Sequence, residues 1–444
     1  MEDDMTYNDN VYSKDETYDA SEIYSDTNNT GFPFWGESST TTNPDSFNAV
    51  NYVFVTPGLV SFIRQILRGK NKKKFLYHYL YLCGKISYLK HIDKRFENEE
   101  FVPVNYKVMS SIISRRKYLE IISDLVNWEI IEFTPSYQVG SRSKGFKLMP
   151  PYNQNFKRKA IKDELINKKL NNFKNQSSKE LKKLPLPYQY LEVTNTWIGI
   201  DYKSATTYNR NTYLYQANTT VYDSNYFSIS AYNDKDYRIS VDKFANRAHT
   251  NLTNIKSDFR GFLNVDGEPL GQVDIKNSQP LFFYIHIKDN PDIPEDEKER
   301  YRQIVERGRF YEFFMERLGI PIEDRSKIKE PVLGALFFDK FRTKESRYLS
   351  VFKEEFPAIT EYILKQKRKD HRKLAQILQK SESKFIIEKA VASFINKFGA
   401  QYEFVSTIHD SLVVKVDMLQ EAKHIMRECF QWEGINPQLA VSEF

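Results

Sequence analysis

Two carboxylates carry the chemistry this sequence offers. The first is Asp274, within Gly271-Gln272-Val273-Asp274-Ile275-Lys276-Asn277-Ser278-Gln279-Pro280-Leu281. The residues before it read as a short apolar strand, and a helix is expected to start near Ser278. An aspartate on one strand is by itself more often surface than ligand. The second carboxylate, Asp410, changes that reading. From Phe404 to Val416, two runs rich in Val, Ile and Thr flank a polar His409-Asp410 tip. This is the pattern of a β-hairpin with those two residues in its turn. Beside the Asp274 strand, such a hairpin would set two carboxylates on adjacent strands. Phosphoryl transfer assisted by two Mg²⁺ ions about 3.5–4 Å apart needs a pair of this kind.

A large soluble body is needed to hold them. The chain has 444 residues, 40% apolar and 28% charged. That composition fits two to four globular domains and does not fit a disordered or membrane protein. No apolar run approaches the roughly 18 residues of a membrane helix, and the acidic start does not read as a secretory signal. Cys83 and Cys429 are the only cysteines, which excludes a disulfide framework or a cysteine zinc site. A reducing, cytoplasmic setting is expected. Charge is segregated: residues 1–50 hold 11 acids against Lys14, while residues 51–444 carry +16. A basic body with an acidic, disordered tail at 1–50 suggests a polyanionic partner, nucleic acid first.

Residues 51–150 read as a small unit of their own. Leu59 to Leu67, Phe75 to Leu82 and Asn105 to Ile113 have helical apolar spacing. Ser114 is expected to cap a helix over about 115–127 with Leu119, Ile122 and Leu125 on one face. Ile130 to Phe133 and Gly145 to Leu148 read as strands joined by a basic loop. Helices followed by a hairpin with a basic tip resemble a winged helix-turn-helix. In that fold the second helix of the motif enters the DNA major groove. Arg115, Arg116 and Lys117 would stand at the helix entry, and Arg142 and Lys144 on the wing. Residues 151–240 are expected to be linker and thumb-like. Within them, 156–183 reads as a linker or exposed helical hairpin, and the Tyr-, Thr- and Asn-rich runs Tyr213 to Tyr222 and Tyr226 to Tyr232 read as β-prone.

Five blocks between about 240 and 444 resemble, in order, those of family A DNA polymerases and the related single-subunit phage RNA polymerases. They are Asn246-Arg247 to Ile255; Asp274 with Asn277-Ser278-Gln279; Arg325 to Phe337 with Lys329 and Gly334; Leu378-Gln379 to Ile387; and Ile408-His409-Asp410-Ser411. The resemblance implies an α+β right-hand polymerase with an antiparallel palm sheet, helical fingers at about 290–370 and a helical thumb. It implies that Asp274, Asp410 and the Ile275 carbonyl hold two Mg²⁺ ions, with Mn²⁺ as an alternative. Lys329 and Arg325 would clamp the triphosphate, Lys329 would also serve as proton donor, and Phe337 would stack at the nascent base pair. Arg247, Asn254, Gln379 and His409 would touch primer and template.

The sugar signals conflict. Ser411 stands where the DNA enzymes usually carry Glu, and Gln279 where they place a Glu gate against the ribose 2′-hydroxyl, whereas Phe337 suits a DNA enzyme. Pro331 implies that the Lys329 helix either starts late or kinks. No block resembles a proofreading exonuclease. The expected activity is DNA-directed DNA synthesis in phage or mobile-element replication, in the cytoplasm of a bacterial or phage-infected cell. Its partners would be primer-template DNA, a duplex site for the winged helix, nucleoside triphosphates and a processivity or replication partner. The alternatives are an RNA polymerase or primase on the same scaffold, and an inactive DNA-binding replication protein.

Overall fold

The fold is described from a computed structural model, which describes residues 50–68, 73–92, 96, 99–134, 144–216, 218–338, 346–399 and 403–444. The acidic tail and Arg142 lie outside the described residues. Among the described residues no helix is long and apolar enough to cross a membrane.

A six-stranded antiparallel sheet sits at the centre of the C-terminal half. Its path runs Val405–Ile408, Ser411–Lys415, Glu268–Ile275, Leu263–Val265 and Ile198–Ile200, and Leu439–Glu443 also pairs with Glu268–Ile275. The Leu412-Val413-Val414 run of the hairpin is apolar without interruption because both faces are covered. Leu412 and Val414 enter one hydrophobic cluster and Val413 enters another, on alternating sides of the strand. The first cluster also packs the helices Ser278–Ile287, Glu295–Glu306, Phe310–Leu318 and Arg325–Leu333 through Phe283, Tyr301, Phe314 and Val332. Gly271 is required where the last strand docks. A Cβ there would lie 2.8 Å from the Ser442 carbonyl oxygen and 2.9 Å from the Leu419 side chain. The expected mixed α+β class and the antiparallel sheet bearing Asp274 are what the structure contains.

The N-terminal part follows its own order. Helix Leu76–Ile92 is followed by strand Val102–Pro103, helices Tyr106–Ile113 and Arg115–Asn127, and strands Ile131–Phe133 and Gly145–Leu148. The first of these strands pairs with the third, and the third with the second. Two sequence expectations need correction here. Ser114 precedes the helix but sits at φ +76° and makes no side-chain cap bond. Leu119 is 55% exposed, and the buried face is instead Tyr118, Ile121 and Leu125.

The 151–240 region is more ordered than its polarity suggests. Strand Lys157–Ala160 pairs with Tyr52–Val55, and helix Glu164–Leu181 follows. The β-prone reading of the tyrosine-rich runs is overturned. Arg210–Leu214 is a wide helical turn with i→i+5 bonding, and Thr219–Asn233 is an α-helix. The Asn218 side chain caps that helix by accepting from Val221 N–H, and Phe227, Ile229 and Tyr232 are buried along it. Burial on several sides overrides β propensity. Phe227 belongs to the same hydrophobic cluster as the N-terminal helices, so this helix joins the two halves of the unit Asn48–Phe444.

The same helix buries Asp223. Its Oδ2 accepts from the Asn155 N–H at 3.1 Å, while burial pushes its carboxyl up to about 6, a shift that backbone hydrogen bonds and Lys157 oppose. A carboxyl with a raised folded-state value contributes stability below its unfolded value, near 4. That contribution is lost as pH rises through 6. Asp223→Asn is therefore expected to stabilise the protein at pH 7 relative to pH 4 by on the order of 1–3 kcal/mol compared with wild type. Urea denaturation at the two pH values measures it, and an equal change at both pH values would count against the assignment.

Candidate active site

The strand Glu268–Ile275 ends at the site, and its register sets the geometry. Asp274 is paired with Ser411, the residue after Asp410, in the antiparallel ladder. Ile408 pairs with the same Ser411, leaving His409 and Asp410 as a two-residue turn. His409 takes the left-handed conformation at φ +53° and is exposed. The Ser411 hydroxyl donates to the Ile408 carbonyl at 2.9 Å and is buried, so it braces the turn. After Asp274 the chain reverses through Asn277, also left-handed at φ +58°, into helix Ser278–Ile287. An asparagine tolerates that conformation better than most residues.

The two aspartates are brought together as the sequence implied, and their charges interact. Burial, then the charges of Glu382 and Asp274, push Asp410 up to about 8 against the pull of Arg247. Asp274 is raised mainly by burial, with Glu382 adding to the effect and Lys329 opposing it. The Ile275 N–H donates to the Asp274 carboxylate.

Glu382 is the residue that sequence reasoning missed. It is 2% exposed and lies near the end of helix Lys373–Ser383. Its Oε1 accepts from Arg247 Nη2, and its Oε2 from the Ser278 hydroxyl at 2.7 Å and from Gln279 Nε2. A glutamate three residues after Gln379 in a polar stretch reads as solvent-facing. Only its place beside an arginine block and a strand-end carboxylate could have flagged it.

The cations stand on a helix that begins at Arg325, which settles the question raised by Pro331. The helix runs Arg325–Leu333 with Pro331 inside it, then widens to i→i+5 bonding over Gly334–Phe338. Buried Lys367 donates to the Ala335 carbonyl at 2.8 Å. Arg325 and Lys329, four residues apart, share a helix face. Arg325 Cζ lies 5.3 Å and Lys329 Nζ 5.9 Å from the centre of the Tyr311 ring. Arg325 Nε also pairs with Glu312 Oε1 at 2.5 Å. Burial raises the Tyr311 hydroxyl, with Arg325 opposing and Asp410 adding to the shift, so Tyr311 sits within electrostatic reach of the carboxylates. Tyr311 is a second residue that sequence analysis left without a role.

The surroundings of the other expected residues vary. Phe337 is fully buried against Phe283, with ring centres 4.9 Å apart, so it presents no face for stacking on a base pair. It lies within the widened segment Gly334–Phe338. Gln379 is half-buried on the Glu382 helix, and Asn254 is exposed with its amide donating to the Thr250 carbonyl at 3.0 Å. In the N-terminal part Arg115 and Arg116 are exposed. Lys117 pairs with Glu120 at 2.8 Å and lies over Phe75, and Lys144 lies 4.9 Å from the Phe133 ring centre.

The carboxylate pair suits a divalent cation of one kind. Among the described residues no group of three or more His, Cys, Asp and Glu side chains could hold an ion by itself. Both Glu382 oxygens already accept from protein donors, so Asp274 and Asp410 are the candidate carboxylates for a cation. Mg²⁺ is commonly held by one or two carboxylates, with water and substrate phosphates completing its shell. A cation would also offset the burial and the like-charge repulsion that together hold Asp410 near 8.

No family model matches the chain, and no curated protein matches it. Among solved structures, the chain is similar to the POL domain of Pol1 from M. smegmatis, determined in complex with DNA primer-template and dNTP. The TM-score is 0.34 at 11% identity, covering 86% of this chain and 72% of that one. At that TM-score the likeness is too loose to fix either fold or activity.

If the pair binds Mg²⁺, the ion stabilises the folded state by mass action. At about ten times the dissociation constant this is worth about 1.4 kcal/mol, or roughly one to three degrees in melting temperature. Wild type is expected to show this rise between EDTA and Mg²⁺, and Asp274→Ala and Asp410→Ala to lose it. An equal rise in all three proteins would place the ion elsewhere.

Proposed function

We propose that the chain is a template-dependent nucleic acid polymerase of the family A type, a DNA-directed DNA polymerase that adds dNMPs to a primer 3′-hydroxyl. The observation that carries this reading is the ladder register that sets Asp274 beside the Asp410 turn, with Lys329 within electrostatic reach of Asp274. It is supported by the ordered sequence blocks, of which Arg247, Asp274, Lys329 and Asp410 belong to one network of interacting charges.

The roles of the side chains follow from their chemistry. Bound at Asp274 and Asp410, Mg²⁺ ions would lower the pKa of the primer hydroxyl and offset charge on the triphosphate. Lys329 and Arg325 present two cations on one helix face, suited to the charge that builds on a departing pyrophosphate. Lys329 is also the candidate proton donor to that leaving group. Tyr311 holds both cations against one ring and limits their freedom. Arg247, anchored on Glu382, and the exposed His409 turn would meet the primer end. The central sheet would be the palm, the helices at about 290–370 the fingers, and the 155–240 region the source of the thumb.

The N-terminal order of helix, strand, two helices and two strands, with the first strand paired to the third, supports a winged-helix reading of that part. Arg115 and Arg116 at the start of its second motif helix are suited to duplex phosphates. The enzyme would lack proofreading and serve phage or mobile-element replication. An RNA polymerase or primase on the same scaffold is the second reading. Ser411 and Gln279 favour it, and Ser411 here braces the turn rather than offering a third carboxylate.

Primer extension on a primed DNA template with Mg²⁺, with dNTPs and rNTPs in parallel, decides between them. Extension with dNTPs is expected. Asp410→Ala is expected to lower it by more than about a thousandfold, and Lys329→Ala by about a hundred- to a thousandfold. Extension with rNTPs alone would establish the second reading. No extension with either, alongside duplex binding, would leave a DNA-binding protein on this scaffold.

A further inference from the structure

Glu382 is difficult to explain as a stabilising residue. It is buried beside two other carboxylates, and its charge raises both of them. A buried ion pair with Arg247 alone could be replaced by apolar side chains of similar volume without loss of stability. Its contacts reach further than that pair. Its three donors come from residues 135, 104 and 103 positions away in the chain: Arg247, Ser278 and Gln279. Ser278 and Gln279 open the helix that follows the Asp274 strand end, so one carboxylate ties that turn to the Arg247 segment.

The bond to Gln279 also fixes an orientation. An amide can present either its oxygen or its NH₂ group. Glu382 accepts from the NH₂ end, which leaves Gln279 Oε1 as a buried acceptor without a partner among the described residues. Arg247 Nε is unmet in the same way. Unmet buried polar groups are costly and call for an explanation, of which a ligand is one.

We infer that Glu382 is a positioning residue of this site: it clamps Arg247 and orients the Gln279 amide so that its oxygen is held ready for a hydrogen-bond donor on the substrate. The inference rests on the proposed nucleotidyl transfer. Glu382 is assigned no contact with substrate: it is 2% exposed and already accepts from three protein donors. Replacing it by glutamine would give Arg247 a weaker neutral partner and let the Gln279 amide turn. Small displacements of positioning groups cost about ten- to a hundredfold in rate.

The test is a double-mutant cycle in steady-state primer extension. Glu382→Gln and Gln279→Ala are each expected to lower kcat/KM ten- to a hundredfold. The double variant is expected to fall no more than about threefold below the worse single one, because the two residues act as a unit. Multiplicative losses, or unchanged kcat/KM in folded Glu382→Gln, would overturn the inference. If Glu382→Gln does not fold, Glu382→Gln with Arg247→Gln removes both buried charges, and Gln279→Ala in that background is expected to cost less than threefold. Extension by wild type with multiplicative losses overturns this inference alone. No extension by wild type overturns it together with the proposed function.

Discussion

Crowded negative charge at the end of one β-strand is the constraint around which the C-terminal half is arranged. Asp274, Asp410 and Glu382 come within electrostatic reach of one another while largely removed from water. Like charges in a medium of low dielectric repel strongly, and burial adds a desolvation cost to each. Arg247 and Lys329 offset part of this, and the remainder shows in the raised aspartates. A chain left to relax would move these groups apart. They stay together because the elements bearing them are held by packing that the repulsion cannot overcome.

That packing is the central sheet. Side chains of its middle strands point alternately into two hydrophobic clusters, so neither face is free to yield. The strand bearing Asp274 is paired on one edge with the hairpin and on the other with Leu439–Glu443, and Gly271 permits the second approach. A shift of one residue in register would carry Asp274 to the opposite face. Such a shift would also exchange Val273 and Ile275 with polar neighbours, so the apolar pattern that builds the core also fixes the carboxylate. The site inherits its precision from the core.

This accounts for which parts were legible in the sequence. The Asp274 strand, the His409-Asp410 hairpin and the helix at 115–127 were readable because alternation, turn residues and helical spacing are local signals. Helix Thr219–Asn233 was not, because its tyrosines and threonines favour strands in isolation. Burial of Phe227 in one cluster and of Ile229 and Tyr232 in another makes the helix the better solution. Glu382, Tyr311 and the inward turn of Phe337 were illegible for a related reason. Each owes its place to a partner more than 50 positions away in the chain, Arg247 for the first, Asp410 for the second and Phe283 for the third, and no window of neighbouring residues contains that partner.

Helix irregularity adds a further obstacle to reading this site. The helix bearing Lys329 and the helix bearing Glu382 both pass into i→i+5 bonding, at Gly334–Phe338 and Lys384–Val391. Each wide turn advances the side chains by about one residue relative to an α-helix, so residues before and after it obey different periodicities. Apolar spacing after residue 384 therefore says nothing about which way Glu382 faces. The same shift has a use. It lets one continuous helix present polar residues to the carboxylates at one end and a regular apolar face to the core at the other. At the Lys329 helix the carbonyls of the wide turn are met by the buried Lys367 ammonium, a residue otherwise difficult to account for in a core. The expense of burying that charge is consistent with a wide turn that the fold actively maintains next to the site.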